Sequence, residues 1–379
     1  MKIKILLTLT IVYLAVIAIP EPVYPEMILG EDGKLKLYGD LRFRLETDWD
    51  SQKSDGTERD DRTRARVRAR LGLEYDPLSF LSFGARVVTG AKDSQQSPHI
   101  TIKDFNNNDT GDKDAVLDKW YVKASGKVPW IWLGRNSFPF WKQNELFWDD
   151  DVTPAGVAGG FNGRWSDSQY KINAGYFALP DGAWDYNGNL AAGQFVYSKG
   201  LGKMDFHTAV GIFAFDGEPG AEHIRNGNGS RDYTIWVGSL QAKRQVAEKP
   251  LTLGLDLMHN IENYSSTDSD AFTAANRNEK DGYVLSAILG DTKKKGDWLL
   301  GYYYAYIETL SVNASYAQDD WVRWGSATQT DSSDLKGHEI RAGYAFTPNF
   351  NVVARLYLVE AITSQQDGNR LRVDFNYKF

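Results

Sequence analysis

Five arginines stand on every second residue of "DDRTRARVRARLGLEYDP", residues 60–77: Arg62, Arg64, Arg66, Arg68 and Arg70. Thr63, Ala65, Val67, Ala69 and Leu71 fill the places between them. A guanidinium is always charged, and its planar fork of donors meets an oxyanion at two points. A row of five either pairs with acids of the same chain or attracts anionic solutes. A second stretch, "FWKQNELFWDDDVTPAGVAGGF" at 140–161, sets Glu145, Asp149, Asp150 and Asp151 among Trp141, Phe147 and Trp148. It reads as an exposed acidic loop with interface aromatics, or as a constriction loop that folds inward. In the second case its carboxylates would face the arginines and set up a transverse field. Three consecutive Asp lack the regular spacing of a calcium loop, so no metal and no cofactor is expected.

Residues that alternate at period two need strands with two unlike faces. Sixteen segments of this kind follow one another: 34–46, 62–75, 78–89, 115–125, 127–134, 156–165, 170–179, 190–198, 204–215, 233–244, 251–260, 283–290, 297–307, 335–346, 349–361 and 370–379. The gaps between them alternate in length. Short ones fall at 76–77, 125–126, 166–168, 199–203, 246–250, 291–296 and 347–348. Longer ones, rich in Asp, Asn, Gly and Ser, fall at 47–61, 90–114, 135–155, 180–189, 216–232, 261–282, 308–334 and 362–369. That parity fits an antiparallel transmembrane β-barrel, all-β, with short periplasmic turns and long extracellular loops.

A barrel in lipid turns its apolar row outward and its charged row to the lumen. An arginine on the lipid side would cost about 2–4 kcal/mol near the midplane. The rule sends Arg62, Arg64, Arg66, Arg68 and Arg70 inward. Applied to neighbouring strands, it adds Arg42, Arg44, Arg86, Arg341, Arg355 and Arg372. Closure joins the last strand to the first, so these arginines form one basic wall. Part of it is expected to pair with acids such as Asp40, Glu46, Glu339 and Asp374, and part to face solvent. Strands seven to thirteen are expected to offer mostly Gly, Ala, Ser, Asn and Thr to a water-filled lumen. The tyrosines at 302, 303, 304 and 306 and the pair Trp120–Tyr121 read as an interface girdle.

The opening "MKIKILLTLTIVYLAVIAIP" reads as a signal peptide over 1–18, followed by a periplasmic segment at 19–33 and one barrel domain over 34–379. The chain has no cysteine and five scattered histidines, which argues against thiolate chemistry and zinc. Its net charge of −7 argues against nucleic acid as a partner. The nearest approach to a catalytic group is His338 near Asp334 and Ser332, a loop neighbourhood too weak to predict an enzyme.

The strings "LRFRLE", "DDRTRARVRARLGLEY", "VVTG", "LDKWYVK", "WLGRNSFPF" and "LFWDDDVTPAGVAGGF" occur here in an order that resembles bacterial outer-membrane porins related to the alginate-export β-barrel family. The resemblance is close over about the first half of the chain, and "WDDDVTPAG" is its most specific piece. It implies an outer-membrane barrel that passes solutes by diffusion. Arg64, Arg66, Arg68 and Arg135 fall on its motif positions. The terminal strand "RLRVDFNYKF", ending on Phe379, resembles the signal read by the barrel-assembly machinery. The expected function is passive diffusion of small hydrophilic solutes, with an anionic leaning. The other readings are export of an acidic polysaccharide or oligomer, and a non-conducting adhesive barrel. Expected partners are outer-membrane lipid, small polar or anionic solutes and, in a homotrimer, further copies of the chain.

Overall fold

A computed structural model describes residues 27–29, 33–325 and 330–379. The expected signal peptide, and most of the segment at 19–33, lie outside these residues. Sixteen long strands close into one antiparallel barrel: β1 (Leu35–Trp49), β2 (Arg62–Leu78), β3 (Leu81–Gly90), β4 (Asp114–Ser125), β5 (Pro129–Arg135), β6 (Ala155–Trp165), β7 (Ser168–Asp181), β8 (Asp185–Leu201), β9 (Met204–Asp216), β10 (Tyr233–Val246), β11 (Lys249–Asn260), β12 (Asp281–Gly290), β13 (Trp298–Ile307), β14 (Leu335–Ala345), β15 (Phe350–Ala361) and β16 (Asp367–Lys378). Each pairs with its neighbours in sequence. β16 closes on β1, with Asp40 opposite Lys378 and Trp49 opposite Asn369. A short strand, Ile100–Asp104, extends the wall beside the upper part of β2, while β3 pairs with the lower part. The described residues contain no helix long and apolar enough to cross a membrane.

The alternation in sequence becomes two faces in space. Leu41, Phe43, Leu71, Leu73, Phe83, Leu253, Leu257, Leu285 and Leu300 lie on the outer surface, each more than a third exposed. The residues between them point into the lumen, as with Arg44, Glu46 and Asp48 on β1, all about 1 % exposed. The short turns are tight. Ala247 and Glu248 carry φ of 46° and 65° between β10 and β11, as a two-residue type I′ hairpin requires.

Four features depart from the sequence reading. β2 runs through Asp76-Pro77 to Leu78, and the turn falls at Ser79-Phe80; a register shift between Tyr75 and Leu78 accommodates Pro77, which lacks a ladder donor. β7 and β8 outrun their expected ends, so only Gly182–Trp184 links them, and the long loop expected at 180–189 is a hairpin tip. The inner face of β7 to β13 is not uniformly small and polar. Phe177, Leu179, Leu190, Phe213, Phe215, Tyr233, Ile235, Met258 and Ile307 point inward and are buried.

The fourth feature explains the third. The 308–334 connection is expected to be an external loop, but its described stretch 308–325 folds into the barrel and packs on those residues. Leu310, Val312, Ala314, Ala317 and Val322 reach 0 % exposure. Residues 136–154 fold in beside it, burying Leu146, Phe147, Trp148 and Val152. The barrel thus holds an apolar core like that of a soluble domain. Phe138 stacks on Trp148 with ring centroids 4.2 Å apart, Trp148 stacks on Tyr316 at 5.5 Å, and Phe147 meets Phe213 at 4.7 Å.

Candidate functional site

The charged wall faces this core across the lumen. Each of its arginines sits on the inner face of a strand, as alternation requires, and cross-strand register sets their neighbours: Arg42 lies opposite Arg68, Arg44 opposite Arg66 and Arg341 opposite Arg355. Like charges directly opposite one another repel, so the wall needs acids between its rows. Asp40 takes Arg68 at 2.8 Å and Arg70 at 2.6 Å. Glu46 takes Arg64, and lies 3.8 Å from Arg66. Asp374 takes Arg44 at 2.7 Å and Arg372 at 3.5 Å. Glu339 takes Arg341 at 2.6 Å and Arg355 at 3.8 Å.

The remaining acids come from elements the alternation could not place beside the wall. Asp104 holds Arg62 at 2.5 Å, and Asp118 of β4 holds Arg86. Asp151, from the 136–154 loop, reaches Arg70 at 2.9 Å and Arg68 at 3.4 Å. Asp320, from the 308–334 loop, reaches Arg372 and lies 3.6 Å from Arg44. Among the described residues, ten of the eleven wall arginines therefore have a carboxylate within ion-pair distance. Arg42 is the exception. Its Nε donates to Asn376 Oδ1 at 2.6 Å.

The acidic stretch divides its roles. Asp151 bridges to the wall, where burial works to raise its carboxyl but Arg68 and Arg70 hold it below the usual range. Asp150 is exposed and pairs with Lys142 at 2.5 Å. Asp149 turns toward the second loop, and its N–H donates to Tyr316 O at 2.8 Å. Burial raises the Asp149 carboxyl, and Glu145, Asp151 and Asp319 add to the effect. Burial pushes Glu145 up to about 7 despite Lys142, and its Oε2 accepts from Gln318 Nε2 at 3.1 Å. Asp319 is raised by burial and by Asp320 to about 6, whereas Arg372 and Arg44 hold Asp320 far below the usual carboxylate range. Of the three carboxylates, that of Asp151 reaches the wall, that of Asp150 takes Lys142, and that of Asp149 accepts from the Asp151 N–H at 2.7 Å.

The loop is fixed at its far side as well. Gln194 exchanges hydrogen bonds with the Trp141 backbone, each at 2.8 Å, and Asn144 Nδ2 donates to Asp256 Oδ2 at 2.5 Å. Arg135, a motif position, is structural. It donates to Thr153 O at 3.1 Å and to Ala183 O at 2.7 Å.

Sequence reasoning missed Asp319, Asp320 and His99. The signal for the first two was present: "AQDDWVRW" at 317–324 mixes acids and tryptophans just as "LFWDDD" does. His99 is 8 % exposed, with Nε2 free of hydrogen bonds. Burial and the surrounding Arg44, Arg68, Arg66 and Arg42 drive its pKa down, so the ring is neutral. Other expectations need correction. Tyr303 points inward, beneath the Arg341 guanidinium at 4.6 Å, and only Tyr302, Tyr304 and Tyr306 face out. Tyr121 also points inward and donates to Glu74 Oε2 at 3.0 Å. His338 lies on the outer face beside the Tyr302 hydroxyl at 2.9 Å, Asp334 caps Thr363, and Ser332 is buried inside, so the three do not meet.

Water-accessible space remains beside the wall and below it, toward the short turns. An outer cavity of about 390 Å³ lies beside Arg62, Arg64 and Arg66. A middle one of about 350 Å³ lies between Arg42 and the two inward loops. An inner one of about 400 Å³ lies toward the short turns, beside Lys123, Lys171, Trp130 and Trp132. The outer and middle cavities share His99, and the middle and inner cavities share Ser137 and Phe138.

Residues 55–195 match the family model described as "Putative porin". No curated protein sequence matches the chain. Among solved structures, it resembles OprB of Pseudomonas putida in a high-pH structure, with a TM-score of 0.58 and 9% identity, over 92% of this chain and 95% of that one. OmpF of Salmonella typhi in complex with daunomycin gives a TM-score of 0.54 and 14% identity, over 93% and 100%. An anion-selective porin from Comamonas acidovorans gives 0.50 and 11%, over 91% and 99%. The fold is that of the outer-membrane porins. A closed barrel of this fold with an apolar outer belt belongs in the outer membrane of a Gram-negative-type bacterium.

Proposed function

We propose that the chain is an outer-membrane channel for passive diffusion of small hydrophilic solutes, with an anionic leaning. The observation that carries the reading is the string of three adjoining cavities, the outer and middle ones beside the arginine wall and the inner one beside Lys123 and Lys171, in a barrel otherwise filled on its opposite side. Each is the size of a small solute rather than an open porin lumen. The anionic leaning rests on Arg42, Lys119, Lys123, Lys171 and Lys378, inward cations with no carboxylate in ion-pair contact among the described residues; most of the wall is neutralised by its own acids. Recognition of the strand ending in Phe379 by the assembly machinery, and a homotrimer, remain part of the proposal. Export of an acidic polysaccharide is not favoured, because an extended polymer needs a continuous conduit and two loops occupy the lumen.

The test is planar-bilayer conductance of the refolded chain in a salt gradient. Discrete open steps with a reversal potential on the anion side are expected, and Arg42→Ala should move that potential toward zero. A well-folded barrel that carries no current would overturn the reading.

A further inference from the structure

The middle cavity has two poles. Seven cationic and six acidic side chains line it, so it is close to neutral as a whole. Its charges are not spread evenly. Asp151 on Arg68 and Arg70 bridges the cavity at one place, and Asp320 on Arg44 and Arg372 bridges it at another. Arg86 and Arg355 lean on Asp118 and Glu339, behind the wall. What stays uncommitted on the wall is Arg42, with Lys378 and the unpartnered His99 Nε2. Facing them, Glu145, Asp149 and Asp319 have no cation in ion-pair contact among the described residues, and Asp150 has only Lys142.

We propose that the middle cavity is a binding site for small zwitterions that carry an oxyanion, a carboxylate or sulfonate, at one end and an ammonium at the other. The inference rests on the channel reading and names its preferred solute class. The oxyanion meets Arg42, and the ammonium meets the acids contributed by the two inward loops. A simple anion gains the first contact and is repelled by the second group; a simple cation suffers the reverse. At a few ångströms and in a partly desolvated space, each such interaction is several times stronger than in bulk water. Burial, with neighbouring acids adding to it, raises Glu145 to about 7 and Asp319 to about 6, and an arriving ammonium favours their ionised forms. The groups facing Glu145 are Lys142, Asp149, Asp150 and Asp151 of its own loop, Gln318 and Asp319 of the other loop, Tyr303 of β13 and Arg355 of β15; those facing Asp319 are Asp320 of its own loop, Arg66 of β2, Arg44 of β1 and Arg372 of β16. Acidification to pH 5 discharges Glu145 and Asp319, and pH 8 charges them.

Taurine and isethionate separate the classes. They share a sulfonate and differ by an ammonium in place of a hydroxyl. Uptake of both, with erythritol as a neutral reference, is to be measured in liposomes containing the full refolded barrel. At pH 8 taurine should enter several-fold faster than isethionate. The ratio should fall toward one at pH 5, and at pH 8 in Glu145→Gln. Asp150→Asn, at an exposed position of the same pole, should lower it too and keeps the test open if Glu145→Gln does not fold. Arg42→Gln should slow both solutes together. A wild-type ratio of one or below, or a ratio untouched by both acid-pole variants, overturns the inference while leaving the channel intact. Exclusion of all three solutes, erythritol included, by a natively folded barrel overturns the channel reading itself.

Discussion

On β9 the side chains that face inward are His207, Ala209, Gly211, Phe213 and Phe215; on β2 they are Arg62, Arg64, Arg66, Arg68 and Arg70. Both strands show lipid an apolar row, and both belong to one sheet. Their inner faces have opposite tasks. β9 supports folded chain: Phe213 lies against Phe138, Phe140 and Phe147, and its neighbourhood excludes water. β2 supports a lattice of ion pairs and the solvent beside it. The apolar side gains stability from area removed from water, about 25 cal/mol per Å². The charged side gains little net stability, because desolvating a pair offsets most of its attraction. What it provides is a polar surface held in fixed geometry.

The comparison can be broken most forcefully by emptying the packed side. Replacing 309–318 with a short Gly-Ser linker should raise single-channel conductance several-fold; an unchanged conductance would mean that this segment does not limit the path. The next effect is thermodynamic. Trp148 is fully buried, with Nε1 donating to Val152 O at 3.1 Å, so Trp148→Ala should cost about 3–5 kcal/mol in urea unfolding of the refolded barrel. On the charged side, Asp374→Asn keeps the volume and removes one of two acids shared by Arg44 and Arg372. With Asp320 still in place, the expected loss is about 1–3 kcal/mol, read in the same assay. A larger loss than that of Trp148→Ala would invert the assignment of stability between the two sides. The smallest effect belongs to the outer rim. Lys336 and Glu360 pair at 3.2 Å on exposed positions, and Lys336→Ala should change stability by less than about 0.5 kcal/mol.

The barrel was legible because lipid and lumen impose opposite demands on alternate residues, and strands such as "RLRVDFNYKF" obey them along their whole length. The wall was legible for the same reason. Its neutralisation was not. Asp118, Asp151 and Asp320 reach the arginines from a bulged strand and two loops, and periodicity does not say where loops go. The 308–334 loop misled because Ser311, Asn313 and Ser315 look like solvent-exposed residues. In the fold their polar groups are satisfied by chain: Ser315 Oγ donates to Gly229 O at 3.1 Å, and Gln96 Nε2 donates to Ala314 O at 2.9 Å. Double-sided apolar character in β9 was the overlooked hint. A strand that is apolar on both faces inside a membrane barrel must have something apolar to touch within.

The pairing of β1 with β16 has a consequence for how the molecule forms. Arg44 meets Asp374 and Arg370 meets Asp48, across 330 and 322 positions of sequence. Contacts so distant along the chain come at a high cost in loop entropy and form late. Until they form, Arg44 lacks Asp374 and Asp48 lacks Arg370, at the open edge of a sheet entering hydrocarbon. Insertion and closure are therefore expected to advance as one event, with the slow step set by the meeting of the two ends rather than by the growth of the sheet.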